Sequence, residues 1–148
     1  MANTPNSVIT PQAAVLGHAN LAAVSACTTR GPTATAGLAA ANIVVCVPTV
    51  ATDCKISRID VKAISTAITA PTVAQLVGIW DWDGTNAYLV DEIIVSAVTP
   101  STTVPSFLTY TTYDDLVLPA GHALYVSTTV TTTASTTALG VTAHGATL

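Results

Sequence analysis

Charge is what this chain has least of. Only 8% of its 148 residues are Asp, Glu, Lys or Arg, about a third of the share usual in a free soluble domain. Four cations, Arg30, Lys55, Arg58 and Lys62, stand against eight acidic residues, for a net charge of −4. No basic cluster exists, which argues against nucleic-acid binding, because phosphate neutralisation supplies most of that affinity. Aromatic residues are equally sparse at 5%, with a single Phe. No uninterrupted apolar run reaches the length of a membrane-spanning helix. The opening "MANTPNSVITPQ" has neither a charged start nor an apolar core, so no secretory signal is expected there. Cysteine is limited to Cys27, Cys46 and Cys54, an odd number without metal-ligand spacing. Folding in a reducing cytosol fits this usage. A Cys46–Cys54 bridge across a hairpin is one reading; three buried free thiols is the preferred one.

What fills the chain instead is Thr, Ala and Val. Half the residues are hydrophobic. Thr and Val are β-branched and suit pleated strands, while Glu, Lys, Gln and Arg, the usual solvent-face residues of helices, are scarce. This is an all-β composition whose surface is built from hydroxyls. A surface with few charges costs little to desolvate when a partner covers it. It suits a protein that lives inside an assembly; a secreted Thr-rich β domain is the plainer alternative.

Residues 1–12, with Pro5 and Pro11, read as an extended arm ahead of a single domain over 13–148. In "QAAVLGHANLAAVSACTT" two short strands around a Gly-His-Ala-Asn turn are expected, followed by a loop over 31–41. "NIVVCVP" is a short apolar run typical of a buried strand. "KISRIDVKAIS" alternates, with Ile59, Val61 and Ala63 on one face and Arg58, Asp60 and Lys62 on the other, which is wet or at an interface. "VAQLVGIWDW" and "NAYLVDEIIVSAV" are two more strands, and the Asp83-Gly84 pair between them signals a hairpin. "TPSTTVPSFLTYTTYDD" reads as a long connection with a short edge strand near Phe107–Tyr110. Pro119, Ala120 and Gly121 form a tight turn, with strands from His122 to about Thr131 and from Leu139 to Ala146. Seven to nine short strands without crossover helices give an antiparallel β-sandwich or jelly roll.

The stretch "GIWDWDGTNAYLVDE" holds both tryptophans and half of the acidic residues. Asp81, Asp83 and Glu92 fall at the first, third and twelfth places of a calcium-loop template. The glycine that such a loop needs at its sixth place stands two residues early, as Gly84, and the flanks read as strands. A turn explains the Asp and Gly residues as well, so no metal and no cofactor is expected. Trp80 and Trp82, two apart, share one face of a strand. They pack in the core or against a subunit, or else stack on a sugar. Tyr88, Phe107 and Tyr125 are further packing or interface candidates. His18, His122 and His144 lack motif partners. The neighbours Asp91–Glu92 and Asp114–Asp115 point to opposite faces of a strand and make no acid/base dyad. Without a nucleophile elbow or a phosphate-cradling loop, no catalytic activity is expected.

The order of these signals resembles small virion proteins of tailed bacteriophages. The similarity runs over about residues 43–148, through "CKISRIDVKAIST", "LVGIWDWDGTNAYLVDEIIVSA" and "LVLPAGHALYVST", and is most specific in "DGTNAYLVDEI" and "LPAGHALYV". What the resemblance implies is a β-sandwich component of the phage head, a decoration or cement protein located in the virion and made in the host cytoplasm. Its partners would then be the major capsid protein and further copies of itself, a homotrimer being expected, with neither nucleic acid nor membrane. A glycan-binding host-adhesion module of a tail or head fibre is the alternative.

Overall fold

The computed structural model of the chain describes residues 14–31, 42–65, 71–106 and 108–148, together with the backbone of 33–34. The expected arm over 1–12 and Phe107 lie outside the described residues. Among the described residues nine strands are found: β1 (Ala14–Leu21), β2 (Thr33–Ala34), β3 (Ile43–Val47), β4 (Cys54–Ala63), β5 (Gln75–Trp82), β6 (Asn86–Val95), β7 (Leu108–Leu118), β8 (Ala123–Thr128) and β9 (Leu139–Thr147). Among the described residues there is no helix.

The strands form two antiparallel sheets. The first has the order β1-β9-β4-β7 and the second the order β2-β6-β5-β8-β3. Setting the two-residue β2 aside, the other eight pair from the outside in: β1 with β9, β3 with β8, β4 with β7 and β5 with β6. Alternate pairs fall in opposite sheets. That is one long antiparallel hairpin rolled up on itself, the wiring of a jelly roll.

Alternation along each strand fills the space between the sheets. In β4, Cys54, Ile56, Ile59, Val61 and Ala63 are buried while Lys55 and Lys62 are exposed. The phase steps once, at a bulge between Ile56 and Arg58. In β5 and β8, Val77, Ile79, Leu124 and Val126 face the same interior. Gln75 is buried with them, and both polar atoms of its amide lack a hydrogen-bond partner. The two sides of the sandwich differ. On one side β1 and β3 approach so closely that a Cβ on Gly17 would lie 1.9 Å from the Cys46 carbonyl oxygen. On the other, β6 and β7 are clipped by the Tyr113 hydroxyl, which donates to Asp91 Oδ2 at 2.7 Å.

Three expectations need correction. The Gly-His-Ala-Asn segment is no turn: Gly17–Asn20 lie inside β1, which runs unbroken past a bulge between Val15 and Gly17. The glycine serves the close approach to β3 rather than a chain reversal. The long connection after β6 is shorter than expected, because residues 108–118 form one eleven-residue edge strand, β7. Its Thr and Tyr residues are wet on one side, so it lacks an apolar signature. The strand after Gly121 stops at Thr128, where Thr128 Oγ1 turns to donate to the Val130 carbonyl.

Candidate functional site

The β5–β6 hairpin turns on Gly84 and Thr85, with Trp82 opposite Ala87 and the Asp83 amide donating to the Asn86 carbonyl at 3.1 Å. Gly84 has φ +96°, as the first central residue of a type II′ turn requires. Asp83 Oδ1 accepts from the amides of Asn86 at 2.7 Å and Thr85 at 2.8 Å. These two bonds hold its carboxyl below the usual range. The turn before β8 uses the same devices. The His122 amide donates to the Pro119 carbonyl, Gly121 has φ +86°, and Asp53 Oδ1 accepts from the Ala120 amide.

Trp80 does not reach solvent. Its strand alternation sends Val77 and Ile79 inward and Gly78, Trp80 and Trp82 to the outer face of the second sheet. There residues 22–31, which follow β1, cross over them, tied down where the Cys27 amide donates to the Thr128 carbonyl at 2.8 Å. Cys27, Ile43 and Ala87 close around Trp80, with Trp82, Leu89 and Tyr125 packed alongside. Trp80 is 1% exposed, and its Nε1 donates to Ser127 Oγ at 2.8 Å. Gly78 leaves the room for this pair: a Cβ there would sit 2.7 Å from Ser127 Oγ and 2.9 Å from Trp80 Nε1. Trp82 is half-buried and meets Tyr125 edge-on, with ring centroids 5.9 Å apart at 71°. Tyr88 is exposed on β6. The tryptophans therefore form the anchor of a second, smaller apolar cluster, and Trp80 is closed to a sugar.

The template carboxylates go to separate tasks. Asp81 Oδ1 lies 2.8 Å from His122 Nδ1, Asp83 caps its own turn, and Glu92 Oε1 accepts from Arg30 Nε at 2.9 Å. Among the described residues no group of three His, Cys, Asp or Glu is placed to hold a metal ion. Beneath the crossing segment lies a cavity of about 160 Å³, lined by Cys27, Arg30, Trp80, Leu89, Glu92 and Ser127 among others. The Arg30–Glu92 ion pair forms part of its wall. It falls below the roughly 300 Å³ at which ligand pockets usually begin, and the Ser127 hydroxyl in its wall accepts from the Trp80 indole. All three cysteines are free and buried.

The densest polar constellation lies elsewhere, on the outer face of the first sheet, which none of the other described residues covers. Strand pairing aligns side chains in rows across it. Val15, His144, Arg58 and Thr112 form one row; His18, Thr142, Asp60 and Tyr110 the next; Asn20, Gly140, Lys62 and Leu108 a third. Arg58 binds Asp60 through both Nε and Nη2, the latter at 3.0 Å, and its guanidinium carbon stands 4.5 Å from the Tyr110 ring centroid. His144 Nε2 is 3.1 Å from Asp60 Oδ2, the oxygen that also accepts from Arg58 Nη2. His18 Nδ1 is 3.0 Å from Thr142 Oγ1. Around this network Val15, Leu108, Tyr110 and Val117 are exposed. The sequence marks Arg58, Asp60 and Lys62 as an outward face. It does not show that the last strand lies beside β4, with the first strand beyond it, and that together they bring His144 and His18 to this face. Only the alternation of Thr142 and His144 along the final strand hints at this.

Comparison of the chain with protein-family models, with curated proteins and with solved structures finds no match.

Proposed function

We propose that this chain is a structural protein of a tailed-phage virion, a decoration or cement protein that binds across capsomer junctions of the head. The observation that carries the reading is the outer face of the first sheet. It is broad, uncovered among the described residues, and sets Val15, Leu108, Tyr110 and Val117 in solvent. Exposed apolar groups on a face that includes Tyr and Arg have the make-up of a protein interface. The mechanism is mechanical. Each copy adds buried area across a junction, and many copies, themselves associated as a homotrimer, raise the effective concentration of each contact. The partners are the major capsid protein and further copies of the chain. The test adds purified protein to undecorated heads and measures occupancy and resistance to heat. Saturable binding at fixed stoichiometry, with a raised rupture temperature, supports the reading; no binding ends it.

A second reading has its own observation. Tyr110, Arg58, Asp60 and His144 form a polar network beside an exposed ring, and jelly rolls serve lectins as well as capsids. In a glycan-binding adhesin this patch would take the sugar. Copy counting on purified particles separates the two readings, since a cement protein is abundant on the head and an adhesin is sparse and located at a tail or fibre.

A further inference from the structure

Charge on the outer face of the first sheet is balanced, although the chain as a whole is acidic. Lys55, Arg58, Asp60 and Lys62 project there from β4. Asp114 and Asp115, both exposed, join them at the bulge of β7 between Thr112 and Val117. Three of the chain's four cations thus meet three of its eight carboxylates, and the remainder holds one cation and five carboxylates. Two of the three histidines, His18 on β1 and His144 on β9, lie on the same face. Histidine is the side chain that ordinarily changes charge between pH 5 and 8, whereas Asp, Lys, Arg and Tyr ordinarily titrate outside that range. A face without net charge while both imidazoles are neutral therefore gains two positive charges when both are protonated.

The surroundings of the two rings offer little to offset those charges. His18 Nδ1 lies 3.0 Å from Thr142 Oγ1. Its ring rests against Gly140, where a Cβ would come within 3.1 Å of Cε1, and the residue beyond Gly140 on β4 is Lys62. Among the described residues no carboxylate bonds this ring. His144 Nε2 does reach Asp60, but that carboxylate already accepts two bonds from Arg58. A proton on His144 leaves one carboxylate between two cations. Asp114 and Asp115 stand on β7, with β4 between them and β9, and Tyr110 on the same strand is stacked against Arg58.

We propose that the capsid contact made through this face is acid-labile: it forms with His18 and His144 neutral and is released when they take up protons. This regulation rests on the head-attachment reading and acts at the same surface. A partner that covers the face strips water from both rings. Covering a balanced face of apolar, hydroxyl and paired groups costs little, while covering two added charges that lack a free carboxylate costs far more. The complex then binds fewer protons than its separate components, so its stability falls as the pH falls. Each ring taken up in the neutral form contributes up to about tenfold in affinity per pH unit below the ordinary histidine value of about 6.5.

The test titrates undecorated heads with the purified chain at about pH 7.5 and about pH 5.5, on either side of that value, at constant salt. Circular dichroism follows the fold at both. The parent is expected to bind at least about tenfold more weakly at the lower pH. H18Q/H144Q keeps hydrogen-bonding side chains but takes up no proton, and should lose that difference whatever its affinity at the higher pH. Each single variant should show a smaller loss than the parent, which keeps the comparison readable if the double variant does not bind. His122→Gln, whose imidazole meets Asp81 on the second sheet, should keep the parent's dependence. Heads that take up no parent at the higher pH end the attachment reading itself. A parent that unfolds at the lower pH or binds there equally well or better, or variants that retain the parent's full loss, overturns the acid-release proposal while attachment stands.

Discussion

The indole nitrogen of Trp80 and the hydroxyl of Ser127 meet at 2.8 Å across β5 and β8, on the outer side of the second sheet. This bond lies outside the main core, under residues 22–31, the stretch that follows β1. It fixes that segment in two ways, through apolar area around the ring and through a satisfied buried donor. Trp80→Ala should destabilise the fold by about 3–5 kcal/mol. Ser127→Ala, which strands the indole N–H, should cost about 1–3 kcal/mol. Trp82→Ala should cost less than Trp80→Ala, because its ring is only half-buried. Urea denaturation followed by circular dichroism measures all three. A Trp80→Ala protein with the parental midpoint would show that the crossing segment needs no anchor.

How far the fold was legible depends on what each residue signals locally. β4 and the β5–β6 hairpin could be read because one side of each strand is apolar and Asp83 and Gly84 mark the reversal. β1 is hidden in the sequence because Gly17 and Asn20 are turn formers by composition, with His18 between them. In the fold Gly17 is small for the sake of Cys46 across the sandwich, and the other two face solvent. β7 was hidden because an edge strand alternating Thr and Tyr has no apolar run. Of the outer-face network only the shared face of Arg58, Asp60 and Lys62 was legible. Strand order, not sequence proximity, places His144 and His18 beside Asp60 and Arg58. The pairing of Trp80 and Trp82 on one face was readable, but the cover over Trp80 comes from a loop whose path has no sequence signature.

Glycine 17 gives a sharp test of the closed side of the sandwich. Its Cβ would lie 1.9 Å from the Cys46 oxygen and 2.9 Å from the Val47 Cα, both backbone atoms. Neither can swing aside as a side chain would. Gly17→Ala is expected to cost about 3 kcal/mol, at the upper end for overpacking, or to prevent folding. Gly31→Ala, where nothing lies within 4 Å, should stay within about 0.5 kcal/mol of the parent. Thermal melts of the two proteins side by side decide the matter. Equal melting temperatures would mean that β1 and β3 can separate freely.

Calcium offers an independent check on the hairpin. Asp81, Asp83 and Glu92 are committed to His122, to two turn amides and to Arg30 respectively. Binding calcium through all three would break those contacts and bend two strands. Calorimetry is therefore expected to give no heat of binding at micromolar calcium, and millimolar calcium should leave the melting temperature unchanged. Tight binding that disappears in Asp81→Ala would replace the turn reading with a metal site.

Alkaline pH should unfold this protein through groups that burial keeps protonated. Burial pushes the Cys46 thiol from its ordinary 9.0 up to about 12, against a smaller opposing effect of backbone contacts from Ala143 and Ala19. Burial, with Asp91 beside it, also raises the Tyr113 phenol above its ordinary 10.0. In the unfolded chain both groups lose their protons at ordinary values. The folded form therefore binds more protons than the unfolded form once the pH passes 9, and stability must fall as pH rises. The contribution of each group is fully present below its unfolded value and is lost on the way up to its folded one. For Cys46 alone the slope is about 1.4 kcal/mol per pH unit between 9 and 12, with Tyr113 adding to it above 10. Urea midpoints measured from neutrality to about pH 11 should be flat at first and then drop. Cys46→Ala should reduce the part of the drop that begins near pH 9, whatever its effect on stability at neutrality, and leave the share of Cys54, whose thiol is also raised from 9.0 by burial and by Asp53. The same burial predicts that thiol reagents react slowly with native protein at pH 8 and with all three cysteines after denaturation in guanidinium. A midpoint that holds constant through pH 11 in the parent would mean that Cys46 and Tyr113 ionise in place, in contact with water.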